Sequence, residues 1–565
     1  MRVRAACFAF WFLLAPLVLL SGAASGPREV ARTDQRPILV RLPDRTLAGW
    51  FIDKTDGSQQ VFRIDSTGNG DTWSAPRAVL RLPGGHGEFY GLQPLATSGG
   101  DLHLFLIHMA KGEDVSRGEG ERVRHVDCRD RHLDIWHTKS SGGRAPWREP
   151  RKIWSGYTGS LNSAIELRNG RILLPFSYAT KRDWRNRGDG FEQFTFMGKF
   201  DSITLYSDDR GDTFHLSSPS LKVETPDIVS AYGAVEPVVI ELKDGRVWML
   251  IRTQRGRFYE SFSPDGIRWS EPHPSPITSS DSPAGLTRTE DGRIVLVWNN
   301  CRRFPYAHGG RHVLHAAISA TEGRTWTGYR EILRDPKRDQ PPPPGGDFGT
   351  AYPFPLAAGG DRILIASGQG AGRSRLVAFD AGWLTETGQR TDFSQDLDDW
   401  TYFGCRGVDR VPHPDRPGAY VLKVSKTDAE WPAGAVWNFP NAPSGRIVLR
   451  LKLNAGFRGA NIALTDHYSP PWDEEDVFDS LYNLPIDASG RLLGTASLNA
   501  GRWYDLEVRW SGRVRQAEVR LDGRRVAALP LRRETPGANY LRLRSTCEVS
   551  DPVGLLVESV DVAAQ

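Results

Sequence analysis

Sulfur is scarce in this chain: its 565 residues include only five cysteines and four methionines. No Cys/His spacing of the zinc-binding kind occurs, so neither a structural metal nor a metal cofactor is expected. Long apolar runs are missing after the first two dozen residues, which excludes an integral membrane span there. A dominant charge is missing too. The 72 Lys+Arg residues against 68 Asp+Glu leave a net charge of +4 with no long basic run, so nothing points to nucleic acid. Hydrophobic residues make up 39 % of the chain, without helical stripes. Turn formers and aromatics are plentiful, with 58 glycines, 38 prolines and 18 tryptophans. That composition predicts many short strands joined by turns, an all-β chain.

The chain opens with Arg2 and Arg4, an apolar run over 5–20, and then Ser21, Gly22, Ala23 and Ala24. This order reads as a secretory signal peptide over 1–24, which places the mature protein outside the cell or in a periplasm. Export permits disulfides. Of Cys128, Cys301, Cys405 and Cys547, the last two lie near the ends of one C-terminal unit and could pair.

A hairpin recurs six times: ILVRLPDRTLAGWF (38–51), LATSGGDLHLFLI (95–107), AIELRNGRILLPF (164–176), VVIELKDGRVWMLI (238–251), GLTRTEDGRIVLVW (285–298) and PLAAGGDRILIAS (355–367). Asp-Gly and Asn-Gly centres favour tight turns, because positive φ costs little there. Six copies predict a six-bladed β-propeller over 35–385. A second motif, Ser-x-Asp-x-Gly-x-Thr-Trp, interleaves with the first. SDDRGDTF (207–214) keeps it best; SATEGRTW (319–326), STGNGDTW (66–73) and SPDGIRW (263–269) keep most of it, and SSGGRAPW (140–147) is a remnant. Its side chains cap a turn while the aromatic ring packs between sheets. The charged insert at 109–131 reads as a solvated loop and PPPPGG (341–346) as a loop of the last blade. From 391 to 565 the pattern changes to alternating strands such as RIVLRLKL (446–453), which predicts a β-sandwich. The repeat closes before Thr385, so the propeller is expected to fold without that sandwich.

In a propeller the inner strand of each blade begins at the central channel. Those positions are Arg36, Gln93, Ser163, Glu236, Ser282 and Tyr352, and they differ in chemistry where a purely structural position would repeat one type. A tyrosine, a glutamate and arginines converging there form a candidate site. A rival set, His108, His132, His137 and Tyr178, could abstract a proton beside a uronate carboxylate.

The Ser-x-Asp-x-Gly-x-Thr-Trp motif resembles the Asp-box of the sialidase superfamily, and the C-terminal unit resembles laminin-G or concanavalin-like sandwiches. The resemblance extends to the site. AVEPVVIELKDGRVWMLIRT (234–253) resembles the segment of exo-sialidases that holds a glutamate and then an arginine, matched here by Glu236 and Arg252. GGRHVLHAAISATEGRTW (309–326) resembles the segment with a third arginine, matched by Arg311. GTAYPFPLAAGGDR (349–362) resembles the nucleophile segment, matched by Tyr352. QRPILVRLPDRTL (35–47) resembles the opening Arg-Ile-Pro motif and matches Arg36, although the isoleucine is missing. The resemblance implies a retaining exo-glycosidase acting on a terminal acidic sugar of a glycan. Tyr352 would be the nucleophile, Glu236 its base, and Arg36, Arg252 and Arg311 a clamp on the sugar carboxylate, with Gln93 and Ser282 beside them. Its acid/base aspartate falls in FIDKTDGSQQ (51–60), as Asp53 or Asp56, without the usual arginine-rich neighbourhood. A polysaccharide lyase and a non-catalytic glycan-binding propeller are the alternatives.

Overall fold

The computed structural model describes residues 24–565 apart from 86, 111–114, 118–124, 128–131, 144–145, 182, 187–194, 197–198, 225–232, 303–309, 340–347, 370–371 and 404–406. Nearly all of the expected signal peptide, Cys128, Cys405 and the PPPPGG loop thus lie outside the described residues.

The hairpin repeats fold as expected at their tips. Leu42, Thr97, Leu167, Leu242 and Thr289 each donate a backbone N–H to the carbonyl four residues on, and each accepts from the residue three on. The left-handed position of these turns is Gly100, Gly170, Gly245 and Gly292 in four repeats and Arg45 in the first. Around the tips the chain builds antiparallel four-stranded sheets. The first repeat gives Ile38–Arg41, Leu47–Thr55, Ser58–Ser66 and Arg77–Arg81. The sixth gives Phe354–Gly359, Arg362–Ser367 and Arg375–Asp380, and its fourth strand is Arg28–Arg32, from before the expected start of the propeller. This pairing of N-terminal strand with last repeat closes the ring.

Five repeats stand as separate sheets, not six. The fifth, with Gly285–Arg288, Ile294–Trp298, Val313–Ser319 and Thr327–Arg334, keeps its four antiparallel strands but belongs to an eleven-stranded sheet. Its outer strand pairs through Gly328 with Asn441 of the C-terminal unit. The insert at 109–131 differs from the loop reading as well. Two of its segments, Val115–Arg117 and His125–Asp127, pair with each other, and the second also pairs with Asp183–Asn186 from the third repeat.

The cores lie between neighbouring repeats. Phe105 and Ile135 pack with Leu174 and Phe176, Leu173 with Val239 and Met249, Trp248 with Leu296 and Trp298, Val295 and Leu314 with Ile363 and Ile365, and Leu364 and Ala366 with Leu47 and Trp50. The Asp-box turns lock these seams. In 207–214 the Asp209 carboxylate accepts from Thr213 N at 2.8 Å and Ser207 Oγ accepts from Gly211 N at 2.8 Å. Thr321 replaces the aspartate in 319–326, and its hydroxyl accepts from Thr325 N at 2.9 Å. Each turn presses on the repeat before it: Gly70 on Leu364, Gly211 on His103, Gly266 on Leu173 and Gly323 on Trp248. Gly70 adopts φ 82° and a Cβ there would meet the end of the Leu364 side chain at 2.2 Å, so a larger residue would be strained and would displace that leucine. The remnant keeps part of this role, since its Trp147 meets Trp50 edge-on.

The C-terminal unit has two sheets around one core that includes Trp400, Trp437, Leu449, Leu506 and Val560. One sheet of eight strands centres on Ser444–Leu453, Asp551–Ala564 and Trp503–Ser511; the other contains Gly434–Ala442, Ala538–Ser545 and Ala460–Thr465. Its junction with the fifth repeat is buried and polar. Asn438 accepts from Glu331 N at 3.0 Å, Asn539 donates to Tyr329 O at 3.1 Å, and the Tyr540 hydroxyl donates to Glu331 at 2.6 Å while contacting His315 Nε2 at 2.5 Å. Cys547 is a free thiol among the described residues, and Cys405, its expected partner, lies outside them. No helix among the described residues is long and apolar enough to cross a membrane.

Candidate functional site

Two side chains reach the channel through strained backbone. Glu236 adopts φ 46° where its strand departs from regular register, and Tyr352 adopts φ 61° just before Phe354–Gly359. Positive φ is costly for such residues and marks places where the surroundings impose the conformation. Here it brings the two together: the Tyr352 hydroxyl donates to Glu236 Oε1 at 2.9 Å. Both are buried, at 8 % and 7 % exposure. Arg252 ends the strand beside Glu236 and completes the cluster. Its Nη1 donates to Glu236 Oε2 and to the Tyr352 hydroxyl, the latter at 3.1 Å.

Asp281, which the sequence reading passed over, lies beneath. Its carboxylate accepts from Arg252 Nε and, at 2.8 Å, from Gln254 Nε2, while its backbone carbonyl accepts from Arg311 Nη2 at 3.0 Å. Burial by itself would lower the Arg252 pKa, but the negative charges of Asp281 and Glu236 outweigh it and hold the guanidinium protonated well above its ordinary value. Arg311 also donates to Gln369 Oε1 at 2.7 Å, and its guanidinium lies 5.6 Å from the Tyr352 ring centroid. Arg36 donates to Gly368 O at 3.1 Å and stands 5.5 Å from the same ring. Three arginines, two carboxylates and a phenol thus meet at one end of the ring. Their formal charges leave the cluster net positive, suited to an anion.

A cavity of about 410 Å³ opens above Tyr352, with Arg36, Phe354, Gln369, Asn162, Tyr90 and Asp34 on its walls. Tyr90 is half exposed there. Gln93 is buried next to the cavity wall formed by Gly91 and Leu92, and its amide donates to Pro94 O at 3.3 Å. Ser282 is buried and donates to Asn299, away from the cavity walls.

Neither expected acid lines the cavity. Asp53 is exposed on strand Leu47–Thr55 and caps Lys54 N at 2.8 Å; Asp56 is the tip of the following hairpin, with φ 51° beside Gly57 at φ 74°. An Asp-Gly pair with two positive φ values is a tight hairpin turn, which accounts for the residue without catalysis. Asp34 is the carboxylate on the cavity wall. Its signal, an acid two residues before Arg36, was present in the sequence but has no motif of its own.

The rival set does not assemble at this cavity. His137 is buried against His103, with 3.0 Å between ring nitrogens, and burial lowers both pKa values, His103 to about 4. His108 packs on Phe89 and Trp136, Tyr178 packs on Trp154, and His132 lies 3.5 Å from Asp134. Among the described residues, His467, Asp476 and Asp479 bring ligand atoms within 4.8 Å of one another, but Arg542 and Arg302 already pair with the two aspartates. That pairing satisfies the charges a cation would need.

Residues 93–363 match the family model described as BNR repeat-like domain. No curated protein matches the chain significantly. Among solved structures the chain is similar to Trypanosoma rangeli sialidase, at 14 % identity over 96 % of this chain and 94 % of that one, with a TM-score of 0.41. It is also similar to a protein of unknown function from Dyadobacter fermentans (16 % identity, 63 % and 97 % covered, TM-score 0.45) and to the NanB sialidase from Streptococcus pneumoniae (14 %, 64 % and 70 %, TM-score 0.42). The match falls on the ring of Asp-box repeats described above, so residues 93–363 carry a BNR repeat-like domain.

Proposed function

We propose that the protein is a secreted exo-glycosidase of the sialidase type that removes a terminal acidic sugar from a glycan with retention of configuration. The observation that carries this reading is the bonded set Tyr352–Glu236–Arg252 beneath a cavity walled by Arg36. A phenol with a pKa near 10 is a weak nucleophile, but a carboxylate at 2.9 Å can take its proton and a guanidinium at 3.1 Å stabilises the phenolate. Tyr352 Oη then bonds to the anomeric carbon as the bond to the leaving oxygen breaks, and the phenolic proton passes to Glu236. Asp34 protonates the leaving oxygen. In the second half Asp34 takes a proton from water, the water oxygen replaces Tyr352 at the anomeric carbon, and Glu236 returns the proton to the phenol. Arg36 and Arg311 hold the sugar carboxylate, with Arg252 serving both carboxylate and phenol.

The test is a panel of fluorogenic sialosides and uronides. Release of fluorophore from an acidic glycoside, and not from neutral ones, supports the reading. An unsaturated uronate product absorbing in the ultraviolet would make the protein a lyase, and binding without turnover would make it a glycan-binding propeller. Asp34→Asn should cripple cleavage of a natural aglycone while sparing one with an activated leaving group, which needs no protonation. Equal loss on both would remove Asp34 from the acid role.

A further inference from the structure

A second, larger cleft lies where the fifth repeat meets the C-terminal unit, about 770 Å³ in volume. Domain junctions are common places for ligand sites, and this volume lies within the range of such sites. Its charges are unevenly satisfied. Arg302 is paired with Asp479 at 2.7 Å, Arg533 is paired with Asp466, and Glu534 is paired with Arg515. Arg257 and Arg324 line the same cleft and donate to backbone carbonyls, of Ser275 at 3.4 Å and Thr321 at 3.1 Å. Both side chains are exposed, and neither has a carboxylate partner among the described residues.

The remaining lining is apolar or hydroxylic. Pro276 comes from the propeller side and Pro443 and Pro536 from the sandwich side, and Trp326, Thr278 and Thr327 line the cleft as well. Apolar walls suit the C–H faces of sugar rings, hydroxyls suit their oxygens, and two uncompensated guanidiniums suit carboxylates through paired N–H donors. A small inorganic anion would use the arginines and leave the apolar walls idle.

We propose that this junction cleft is a second binding site for a carboxylate-bearing oligosaccharide, separate from the Tyr352 cavity and independent of the reading proposed for that cavity. It would hold an acidic stretch of the glycan on the side of the ring while the sandwich supplies one wall.

The test is calorimetric binding of trigalacturonate to the full chain, with maltotriose as the uncharged control. Four proteins are compared: wild type, Arg257→Gln/Arg324→Gln, Arg311→Gln, and the three changes together. The double variant should bind trigalacturonate at least tenfold more weakly than wild type, with or without Arg311→Gln, and should keep wild-type turnover of a small fluorogenic glycoside. Maltotriose should bind poorly to all four. Wild-type affinity in the double variant overturns the proposal, as does failure of the wild type to bind trigalacturonate. Loss confined to the Arg311→Gln proteins assigns the binding to the first cavity and also overturns it. If the double variant unfolds, Arg324→Gln alone, on an exposed turn, gives the same comparison.

Discussion

Replacing Tyr352 by phenylalanine removes a single oxygen that bonds both Glu236 and Arg252 in the candidate site. A hydroxyl pointing into a solvated pocket could be removed at little cost. This one is only 8 % exposed as a residue; it donates to Glu236 and accepts from Arg252. Its loss leaves Glu236 Oε1 buried and one donor short, while Oε2 keeps Arg252. A hydrogen bond to a charged group contributes about 1.5–3 kcal/mol, and the extra apolar character of phenylalanine offsets little, since its ring already lies beside two guanidiniums. The variant should therefore lose about 1–3 kcal/mol of stability, read as a lower urea midpoint with an unchanged slope. Turnover of an acidic fluorogenic glycoside should vanish in the same preparation, while the variant still binds the sugar. An unchanged midpoint would refute the bonding described for the hydroxyl. Near-wild-type turnover would refute the covalent mechanism, whatever the stability.

Three other outcomes follow from the geometry. Arg36→Lys and Arg311→Lys should each raise KM about ten- to a hundredfold for an acidic substrate and little for a neutral analogue, because lysine loses the two-pronged donor set; equal effects on both substrates would leave these arginines a structural role only. His315 is buried at the junction and burial pulls its pKa from 6.5 down to about 4. Its folded form therefore resists the proton that the unfolded chain accepts, so stability should be full above pH 6.5 and fall as pH drops from there toward 4. His315→Gln should flatten that acid limb in pH-dependent unfolding, and an unaltered limb would remove His315 as its source. A fragment ending at Thr385 should be unstable or insoluble, because it strips Asn438, Asn539 and Tyr540 from Glu331 and Tyr329; a soluble, cooperatively unfolding fragment would contradict this.

What the sequence disclosed and what it hid differ in range. The hairpin tips and Asp-boxes are local: a few consecutive residues set each turn, and the turns form at Gly100, Gly170, Gly245 and Gly292 as their spacing implies. The strand starts placed Arg36, Glu236 and Tyr352 at one channel because a repeat converts sequence position into position around a ring. Asp281 escaped notice because its importance lies in whom it bonds, Arg252 and Gln254, neither of them adjacent to it in the chain. Asp53 and Asp56 were matched to the place of the family's acid/base aspartate, and the structure puts Asp56 in a tight hairpin turn and Asp53 on the strand before it. The pairing of Gly328 with Asn441 and of Arg28–Arg32 with the last repeat involves strand edges, which carry no pattern that names their partner.

The Asp-box turns overlap like shingles, each resting on the repeat before it, and Trp147 supplies a partial overlap between the second and first repeats. Only the lap of the sixth repeat onto the fifth has no such turn among the described residues. There the short helix Ala381–Thr385 takes its place: Leu384 fills the space beside Gly328, Leu384 and Ala381 join the core between those two repeats, and Arg330 stacks on Trp383 at 3.7 Å. Arg311 and Tyr352 stand on either side of that same lap. The connector to the sandwich is therefore the missing shingle of the ring, and it secures the seam across which the candidate site is assembled.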